Sequence, residues 1–442
     1  MIADHGHYRT GALARGREYD SIVLLARLLR RHTDRRPGAA GVAGVAACLC
    51  AAALVLAGCG SGQASGGPGT AGTGSSPAGS GPWRAENSGT GQRLYDVACL
   101  SALRCEAVGA AGTIVATANG GRTWQAQANP LRGSSTVLYA ITCVAPSSCY
   151  VIARPDTILV THDGGASWSR QVLPVGVSGA DLTDQACLPA YTPIAGRPAL
   201  CRLGLLDIAC VSADVCDAVA TAPQAYAEAP EPKTPQAAPS SIWLTRDGGA
   251  SWARQSIPAG VACNGDCDTG LYGYPLEWVT CLGSGLCRAG GGAVCGGHCG
   301  FAYADLVTRG PGQPWACVDA GVICGGGPDA ADCPTSTGCY GFQSTNPFGP
   351  GISVLRSTDG GTQWDSVGAA QGWSGSVLNA IACPAALTCY LAGSGGSIAA
   401  ITNGTTLTAQ RTPTARDLYG VGCADPASCY AVGDDGTILA LG

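Results

Sequence analysis

Charged side chains are scarce in this chain. Asp, Glu, Lys and Arg make up 12% of its 442 residues, whereas Gly alone accounts for 67 residues. This composition disfavours long solvated helices and favours short strands joined by tight turns. Histidine is scarce as well, since residues 60–442 contain only His162 and His298, and no G-x-S-x-G nucleophile motif is present. Hydrolase chemistry built on a His base or a serine elbow is therefore disfavoured.

Positive charge is the second shortage. The chain has a single Lys, Lys233, and eight of its 25 basic residues lie within residues 1–59. Residues 60–442 keep 17 basic against 26 acidic residues, a net charge of about −9. A net acidic body with scattered Arg argues against nucleic acid as a partner.

Cysteine, by contrast, is abundant, with 25 residues, of which an even number, 22, follow residue 59. Dense and paired cysteines indicate an oxidising compartment. Fourteen of them form seven pairs with the same spacing of five intervening residues: Cys99/Cys105, Cys143/Cys149, Cys210/Cys216, Cys281/Cys287, Cys333/Cys339, Cys383/Cys389 and Cys423/Cys429. Successive first cysteines lie 44, 67, 71, 52, 50 and 40 residues apart. A unit repeated at this scale is typical of a solenoid or a propeller.

Each pair is predicted to form a disulfide, because one Cys ends a strand and the other begins the next strand of the same hairpin. The alternative, zinc, usually requires Cys-x2-Cys pairs with His, and His is nearly absent. We therefore predict no metal and no cofactor. Eight further cysteines are expected to staple insertions, with their pairing left open: Cys187, Cys201, Cys263, Cys267, Cys295, Cys299, Cys317 and Cys324. Cys295 to Cys299, with His298 between them, is where metal or redox chemistry is conceivable.

The N-terminal region carries an export signature. Residues 39–57 form an uncharged run rich in Ala, Val and Leu, which follows four arginines and closes on Leu-Ala-Gly-Cys59. That tetrad resembles the bacterial lipobox, whose Cys is lipidated and becomes the mature N-terminus. The alternative is a plain transmembrane anchor, for which the run is barely long enough. We predict lipidation at Cys59. The region before the apolar run is unusually long, so the translation start is left open between Met1 and a position near Val23.

Three regions follow from these patterns. Residues 1–59 are predicted to be a signal peptide with lipobox, and residues 60–81, rich in Gly, Ser and Pro, a flexible linker. Residues 82–442 form the folded body. The protein is expected to be exported, either as a lipoprotein on the outer side of the bacterial cytoplasmic membrane or as a secreted protein.

Each repeat unit is predicted to form four short strands, A to D, joined by tight turns. This is the pattern of one propeller blade. Many units then contain a Thr/Ser-x-Asp-Gly-Gly-x-x-Trp box, with good copies at Thr161–Trp168, Thr245–Trp252 and Ser357–Trp364. Thr117–Trp124 has Asn in place of Asp. Residues 308–315 and 401–407 are degenerate copies.

The boxes resemble the Asp-box, or BNR repeat, of sialidases, sortilin-type receptors and related propellers. A short side chain that bonds turn N–H groups, paired glycines and a covering Trp predict a structural role. The residues so assigned are Asn119, Asp163, Asp247, Asp359, Trp124, Trp168, Trp252 and Trp364. The alternative, catalysis or calcium binding by these Asp residues, lacks the further oxygen ligands that calcium needs.

The last unit has only three strands, and its fourth is found at the other end of the body. Pro82 to Asn87 resembles the strand that begins at Thr123, so residues 83–88 are predicted to complete the seventh blade and close the ring. Seven blades closed in this way resemble the photosystem II stability/assembly factor family over most of residues 83–442. That family is not marked by such a cysteine ladder, so its partner is not carried over. The predicted fold is an all-β, seven-bladed propeller.

The insertions predict which face of the propeller is functional. Residues 174–204, 256–275 and 316–330 connect strand D to strand A, and residues 217–241, 289–304 and 343–351 connect strand B to strand C. All these connections share one face, and loops on a rigid scaffold usually carry binding. Strand A starts at this face, so its first residues should ring the channel mouth: Tyr95, Tyr139, Asp207, Glu277, Trp278, Asn379 and Tyr419. The alternative is that the tyrosines simply pack between blades.

A non-catalytic binder or scaffold for an envelope protein or glycan is the predicted function. A sialidase would need a Phe-Arg-Ile-Pro motif, yet Phe301, Phe342 and Phe348 are each followed by a residue other than Arg. The alternative is a glycan-active enzyme, sialidase-like or another glycoside hydrolase, which needs two opposed carboxyls. Asp96, Asp207 and Glu277 are candidates, but the sequence does not pair them.

Overall fold

The computed structural model describes residues 83–176, 204–221, 240–257, 276–294, 301–308, 310–317, 328–343, 353–368, 373 and 377–442. Within these residues the chain forms 28 strands in seven sheets of four, and the strands of each sheet pair antiparallel. The prediction of an all-β, seven-bladed propeller is confirmed. A membrane-spanning helix, long and apolar enough to cross a bilayer, is not found within the described residues.

The first strand, β1 (Trp83–Glu86), belongs to the last blade. Blades I to VI then follow along the chain, each from its strand A to its strand D. Blade I has β2 (Leu94–Ser101), β3 (Arg104–Gly109), β4 (Thr113–Thr117) and β5 (Gln125–Ala126), and blade II has β6 (Leu138–Ala145), β7 (Ser148–Ala153), β8 (Thr157–Thr161) and β9 (Ser169–Val172). Blade III has β10 (Gly204–Cys210), β11 (Cys216–Thr221), β12 (Ser240–Thr245) and β13 (Ala253–Arg254), and blade IV has β14 (Trp278–Cys281), β15 (Cys287–Val294), β16 (Phe301–Thr308) and β17 (Ala316–Cys317).

Blades V to VII complete the ring. Blade V has β18 (Ala330–Asp332), β19 (Cys339–Gln343), β20 (Ser353–Ser357) and β21 (Asp365–Gly368). Blade VI has β22 (Leu378–Ala385), β23 (Thr388–Gly393), β24 (Ile398–Thr402) and β25 (Thr406–Gln410). Blade VII has β26 (Leu418–Asp425), β27 (Ser428–Gly433) and β28 (Ile438–Leu441), with β1 as its fourth strand.

Closure occurs in blade VII, as predicted. Strand β1 pairs with β28 from Trp83 opposite Leu441 to Glu86 opposite Ile438. The N-terminal strand therefore covers the edge that the three C-terminal strands would leave open, and an unpaired edge is a site of aggregation.

The apolar cores lie between neighbouring blades. The residue after the second Cys of a pair is Tyr in four blades, and in three of them its ring packs against a Trp of the next blade. The rings of Tyr390 and Trp83 meet edge to face at 6.0 Å, and those of Tyr430 and Trp124 at 5.5 Å. We call these residues interblade tyrosines, because each one bridges two blades and buries a large apolar ring there.

All seven repeated cysteine pairs are disulfides in the structure, so their predicted pairing is confirmed. Each bond lies at the hairpin between strands A and B of one blade. From blade I to blade VII the bonds are Cys99–Cys105, Cys143–Cys149, Cys210–Cys216, Cys281–Cys287, Cys333–Cys339, Cys383–Cys389 and Cys423–Cys429. Seven disulfides indicate an oxidising environment for the folded body.

The second cysteine of every pair is buried, which the spacing alone did not predict. Cys389 of blade VI and Cys429 of blade VII are both 0% exposed, and each belongs to an apolar core that joins neighbouring blades. The spacing predicts these cysteines only as links within a hairpin. Because their sulfur atoms are enclosed by the core, Cys389 and Cys429 are structural positions that a ligand or partner does not reach.

The remaining cysteines are described only in small part. Of the eight outside the repeated pairs, Cys317 ends β17 and is described by its backbone alone, whereas the other seven lie outside the described residues. Cys59 and the regions predicted over residues 1–81 also lie outside the described residues. Lipidation at Cys59 therefore stays a prediction.

Candidate functional site

Four of the predicted mouth residues lie at register shifts of the inner strands, namely Asn379, between Leu378 and Ala380, and three tyrosines. The register shifts between Leu94 and Asp96, between Leu138 and Ala140, and between Leu418 and Gly420. The residues at these shifts are Tyr95, Tyr139 and Tyr419, which begin strand A of blades I, II and VII. A bulge leaves one residue unpaired and redirects its side chain.

The bulges bring the three tyrosine rings together. The ring centroid of Tyr95 lies 6.1 Å from that of Tyr139 and 5.6 Å from that of Tyr419, and both ring pairs are tilted. Tyr95 and Tyr139 are partly exposed, whereas Tyr419 is 8% exposed. Three consecutive blades therefore contribute to one aromatic surface.

Two arginines lie over these rings. The Cζ atom of Arg93 is 5.2 Å from the Tyr419 ring centroid, and that of Arg154 is 4.8 Å from the Tyr139 ring centroid. Both separations are within the range of cation–π attraction. We call Tyr95, Tyr139, Tyr419, Arg93 and Arg154 the tyrosine–arginine cluster.

Asp434 fixes one side of the cluster and shows which face it occupies. The Nε of Arg93 donates to Asp434 Oδ1 at 2.5 Å, and the hydroxyl of Tyr419 donates to Asp434 Oδ2 at 3.3 Å. Asp434 begins the turn between strands B and C of blade VII. The cluster thus lies on the face of the B–C connections, where the insertions were predicted.

Two groups of the cluster, Arg93 and Tyr419, have pKa values shifted further from neutral pH. Burial disfavours the charged form of Arg93, but hydrogen bonds with Tyr95 and Asp434 outweigh it and raise the pKa of this guanidinium. Burial, together with Asp434 and Asp417, raises the pKa of Tyr419 to about 12 although Arg93 opposes this. Near neutral pH Arg93 is a fixed cation beside the neutral phenol of Tyr419, which suits binding rather than proton transfer.

Three other predicted mouth residues, Trp278, Asn379 and Asp207, make the contacts we observe with backbone atoms outside the cluster. Trp278 is 4% exposed and its Nε1 donates to the Pro328 carbonyl oxygen of the neighbouring blade at 3.2 Å. The Nδ2 of Asn379 donates to the Leu418 carbonyl oxygen at 2.6 Å. Glu277 immediately precedes β14 and is partly buried. Asp207 links the inner strands of blades III and IV through a hydrogen bond.

Asp207 and Asp96 occupy equivalent positions, three residues before the first Cys of their units, and bond to the next blade. Oδ2 of Asp207 accepts from the Val279 N–H at 2.8 Å, and its Oδ1 accepts from the Ile208 N–H at 2.8 Å. Burial raises the pKa of Asp207 to about 7, against the effect of these two backbone donors, and nearby Asp96 and Asp332 raise it further. The carboxyls converge on the channel, but each is already engaged by backbone.

The Asp-boxes have the geometry that a structural role requires. In blade II, Asp163 Oδ1 accepts from Thr161 Oγ1 at 2.8 Å and from the Ser167 N–H at 2.9 Å, and Gly165 N–H donates to Thr161 Oγ1 at 2.9 Å. The bonds from Ser167 lead the causes that lower the pKa of Asp163 to about 2. Asp247 and Asp359 accept the corresponding bonds in blades III and V.

Asn119 substitutes for Asp in blade I without loss of the turn. Its Oδ1 accepts from Thr117 Oγ1 and from the Thr123 N–H, both at 3.0 Å, and its Nδ2 donates to Thr123 Oγ1 at 2.9 Å. The box tryptophans differ in burial: Trp124 and Trp168 are 6% and 8% exposed, and Trp252 and Trp364 are half-buried.

Two groups within the described residues bring metal-type side chains together. Glu106 lies near Cys143 and Cys149, and Asp217 lies near Cys281 and Cys287. In both groups the two cysteines are joined as a disulfide and provide no thiolate. These groups therefore do not have the donors of a zinc site.

Sequence reasoning missed Arg93, Arg154 and Asp434. Arg93 immediately precedes strand A of blade I, and Arg154 and Asp434 immediately follow strand B of blades II and VII. Alignment of the seven units would have placed all three on the same face as the tyrosines. That they point toward the rings depends on turn geometry, which the sequence does not specify.

Comparison with known proteins supports this architecture. The family described as photosynthesis system II assembly factor YCF48 matches residues 76–188. Together with the fold, this match identifies the chain as a seven-bladed propeller of the BNR type that is similar to YCF48. No curated protein matches the chain.

Several solved structures share the fold. "YCF48 bound to D1 peptide" is 16% identical with a TM-score of 0.52, over 81% of this chain and 96% of that chain. YCF48 from Cyanidioschyzon merolae is 15% identical with a TM-score of 0.54, over 81% and 98% of the two chains. The GH74 enzyme of Niastella koreensis is 10% identical with a TM-score of 0.52, over 81% of this chain and 53% of that chain. At these identities the likeness concerns the fold alone.

Proposed function

We propose that this BNR-type propeller is a non-catalytic binding protein of the cell envelope, and that a protein partner docks on the tyrosine–arginine cluster. The observation that carries the proposal is the convergence of Tyr95, Tyr139 and Tyr419 under Arg93 and Arg154. Tyrosine and arginine are the residue types that most often anchor protein interfaces.

The surroundings of the cluster favour a preformed surface. Arg93 and Tyr419 are both held by Asp434, so their side chains are ordered before a partner arrives. Ordering side chains in advance reduces the entropy that binding must overcome. Tyr95 and Tyr139 remain partly exposed and supply the contact area.

A structural relative supports the choice of a protein partner. The YCF48 protein named above was solved with a D1 peptide, so that protein binds a peptide. For this chain we propose only the class, an extended protein segment. A glycan partner is the alternative, which binding assays with both classes would separate.

A glycan-active enzyme is the second candidate, favoured by one observation. Burial is the leading cause that raises the pKa of both Asp96 and Asp207 to about 7, and carboxyls with raised pKa values occur at catalytic sites. Against it, each carboxyl already accepts two backbone hydrogen bonds. Turnover in a glycosidase panel that disappears in Asp207→Asn, while the variant stays folded, would favour the enzyme.

Attachment to the membrane through Cys59 is the final part of the proposal. It is supported by the Leu-Ala-Gly-Cys59 tetrad and by the seven disulfides, which indicate an oxidising compartment. Cys59→Ala should release the protein from the membrane fraction, with Cys50→Ala as the matched control. Retention of the Cys59→Ala variant in membranes would contradict the anchor without affecting the binding proposal.

The binding proposal is tested by changing the cluster. Tyr95→Ala removes the central ring, so the full-length protein should lose most of its capture of envelope proteins while its thermal midpoint changes little. Leu103→Ala is the matched control, because Leu103 is 58% exposed on the A–B turn, on the opposite face. Equal capture by Tyr95→Ala and by the unmodified protein would contradict the proposal.

A further inference from the structure

A second site lies between blades I and II, on the face of the Asp-boxes. The interblade tyrosines mark the relevant position, the residue after the second Cys of each pair. Four blades have Tyr there, namely Tyr150, Tyr340, Tyr390 and Tyr430. Blade I has Glu106 there, and blades III and IV have Asp217 and Arg288. The space that a tyrosine ring fills in those four blades therefore has a different occupant in blade I.

The interblade tyrosines reach across their interfaces and hydrogen-bond to the next blade. The hydroxyl of Tyr150 donates to the Ala213 carbonyl oxygen of the next blade at 2.5 Å, and that of Tyr390 donates to the Pro426 carbonyl oxygen at 2.7 Å. Their rings also lie against the second glycine of the neighbouring box: a Cβ added at Gly249 would lie 3.2 Å from the Tyr150 ring. At this point of the interface between blades II and III, the tyrosine ring occupies the space beside the box glycine.

At the interface between blades I and II, the side chain of Gln127 lies beside the box glycine where a tyrosine ring lies elsewhere, and a cleft remains next to it. A Cβ added at the corresponding Gly165 would meet the carboxamide of Gln127 rather than an aromatic ring. A cleft of about 350 Å³ remains, lined by Glu106, Arg104, Asn119, Thr123, Gln125 and Gln127 together with small apolar residues. Its volume is at the lower end of the range of small-molecule sites.

Glu106 has a free hydrogen-bonding atom in this cleft. The side chain is 7% exposed, and its Oε2 is buried without a hydrogen-bond partner. Gln127 hydrogen-bonds the same carboxyl, and the Nε1 of Trp168 in turn donates to Gln127 Oε1 at 3.1 Å. The carboxyl is therefore anchored on one side and lacks a donor on the other, although buried polar atoms are almost always paired.

The lining determines the chemistry of the missing donor. Arg104 is exposed and lies close enough to affect the charge of Glu106, without forming an ion pair with it. One carboxyl and one guanidinium give the cleft no net charge, which disfavours an ionic ligand. The carboxamides of Gln125 and Gln127 both donate and accept hydrogen bonds, as adjacent hydroxyl groups do.

We propose that this cleft, the Glu106 cleft, binds a small neutral ligand with adjacent hydroxyl groups, of the size of a monosaccharide. A ligand hydroxyl donates to Glu106 Oε2, and neighbouring hydroxyls exchange hydrogen bonds with the carboxamides. The apolar side chains of Ala98, Leu100 and Ala126 contact the C–H face of the ring. This site is independent of the proposed protein-binding cluster and lies on the opposite face.

The test uses the full-length protein and six probes in saturation-transfer NMR and calorimetry. The probes are D-glucose, D-galactose, D-mannose and D-xylose, with n-butylammonium as a cationic probe and n-butanol as an apolar one. At least one sugar should bind saturably and more tightly than either butyl probe. Failure of all four sugars, or tighter binding of n-butylammonium, would overturn the proposal.

Two variants and a control locate the binding. Glu106→Tyr introduces the residue of blades II, V, VI and VII, whose ring would fill the cleft, and should weaken sugar binding at least about tenfold because the hydroxyl acceptor is lost. Its thermal midpoint should be equal to or above that of the unmodified protein, which shows that it folds. Glu106→Gln keeps the cleft open and should weaken binding less. Tyr150→Phe, at the same position of blade II, should bind normally, whereas unchanged affinity in Glu106→Tyr would overturn the site.

Discussion

The carboxyl of Asp96 in blade I accepts a hydrogen bond from the backbone N–H of Ile141 in blade II, with Oδ2 and N 2.9 Å apart. Its Oδ1 accepts from the Val97 N–H of its own strand at 2.8 Å. Asp207 repeats both bonds between blades III and IV. Inner-strand carboxyls therefore tie neighbouring blades together at the channel.

This arrangement predicts an unusual dependence of stability on pH. Burial raises the pKa of Asp96 to about 7, despite the two backbone donors. A carboxyl with a raised folded pKa contributes stability below its unfolded pKa of about 4 and loses it as pH rises through 7. Relative to Asp96→Asn, the unmodified protein should lose roughly 2–4 kcal/mol of unfolding free energy between pH 4 and pH 8.

Thermal midpoints measured from pH 4 to pH 8 would check this, with Asp163→Asn as the control. The pKa of Asp163 is lowered to about 2, chiefly by hydrogen bonds from Ser167. Its contribution should therefore stay constant above pH 4 and disappear only in strong acid. A constant difference between Asp96→Asn and the unmodified protein across this range would contradict the assignment.

Close packing of strand A of blade VII against strand A of blade I should depend on two glycines. A Cβ added at Gly422 would lie 2.1 Å from the Val97 carbonyl oxygen, and one at Gly420 would lie 2.7 Å from the Asp96 Cα. Gly422→Ala should destabilise the propeller by roughly 1–3 kcal/mol or more, because backbone must shift. Gly91→Ala is the control, since nothing lies within 4 Å of its added Cβ. Equal melting of the two variants would refute this close packing.

Truncation of a box tryptophan should depend on its burial. Trp168 is 8% exposed, packs in the core between blades I and II, and donates to Gln127. Trp168→Ala should cost roughly 3–5 kcal/mol of unfolding free energy. Trp364→Ala, at a half-buried position in blade V, should cost clearly less. Denaturant titration of both variants measures the difference, and the reverse order would contradict the assigned burial.

The hairpin disulfides should each contribute modestly. Cys99 and Cys105 close a loop with a sequence separation of 6, and so short a loop gives roughly 2 kcal/mol on the loop-closure account. The double variant Cys99→Ser/Cys105→Ser should therefore fold with a lower thermal midpoint. Non-reducing peptide mapping of the unmodified protein should recover this pair and its six counterparts, and free thiols at these positions would be incompatible with the structure.

The sequence predicted the architecture because each blade repeats a local pattern. The cysteine spacing, the boxes and the likeness of Trp83 to Trp124 were sufficient for seven blades and for closure by β1. These features depend on contacts within a hairpin or on the likeness of corresponding strands in different repeat units. They are therefore visible in one repeat unit at a time.

The candidate sites depend on contacts between blades. Such contacts are harder to predict from the sequence than contacts within one blade. The tyrosines were placed at the mouth, but Arg93, Arg154 and Asp434 were not, since their directions follow from turns of different blades. Trp278 was expected at the mouth and is buried against Pro328, because blade V approaches it closely. The Glu106 cleft is space that the side chains of blades I and II leave between them. A single sequence does not show which interblade spaces remain unfilled.

Site-specific photocross-linking detects directly whether a protein docks on the tyrosine–arginine cluster. A benzophenone amino acid is placed at Tyr139 in the cluster or at Leu103, which is exposed on the opposite face. Illumination of the full-length protein in its envelope should give a discrete protein adduct from position 139 that disappears when Tyr419→Ala is added. An adduct from position 103 with none from position 139 would contradict the account.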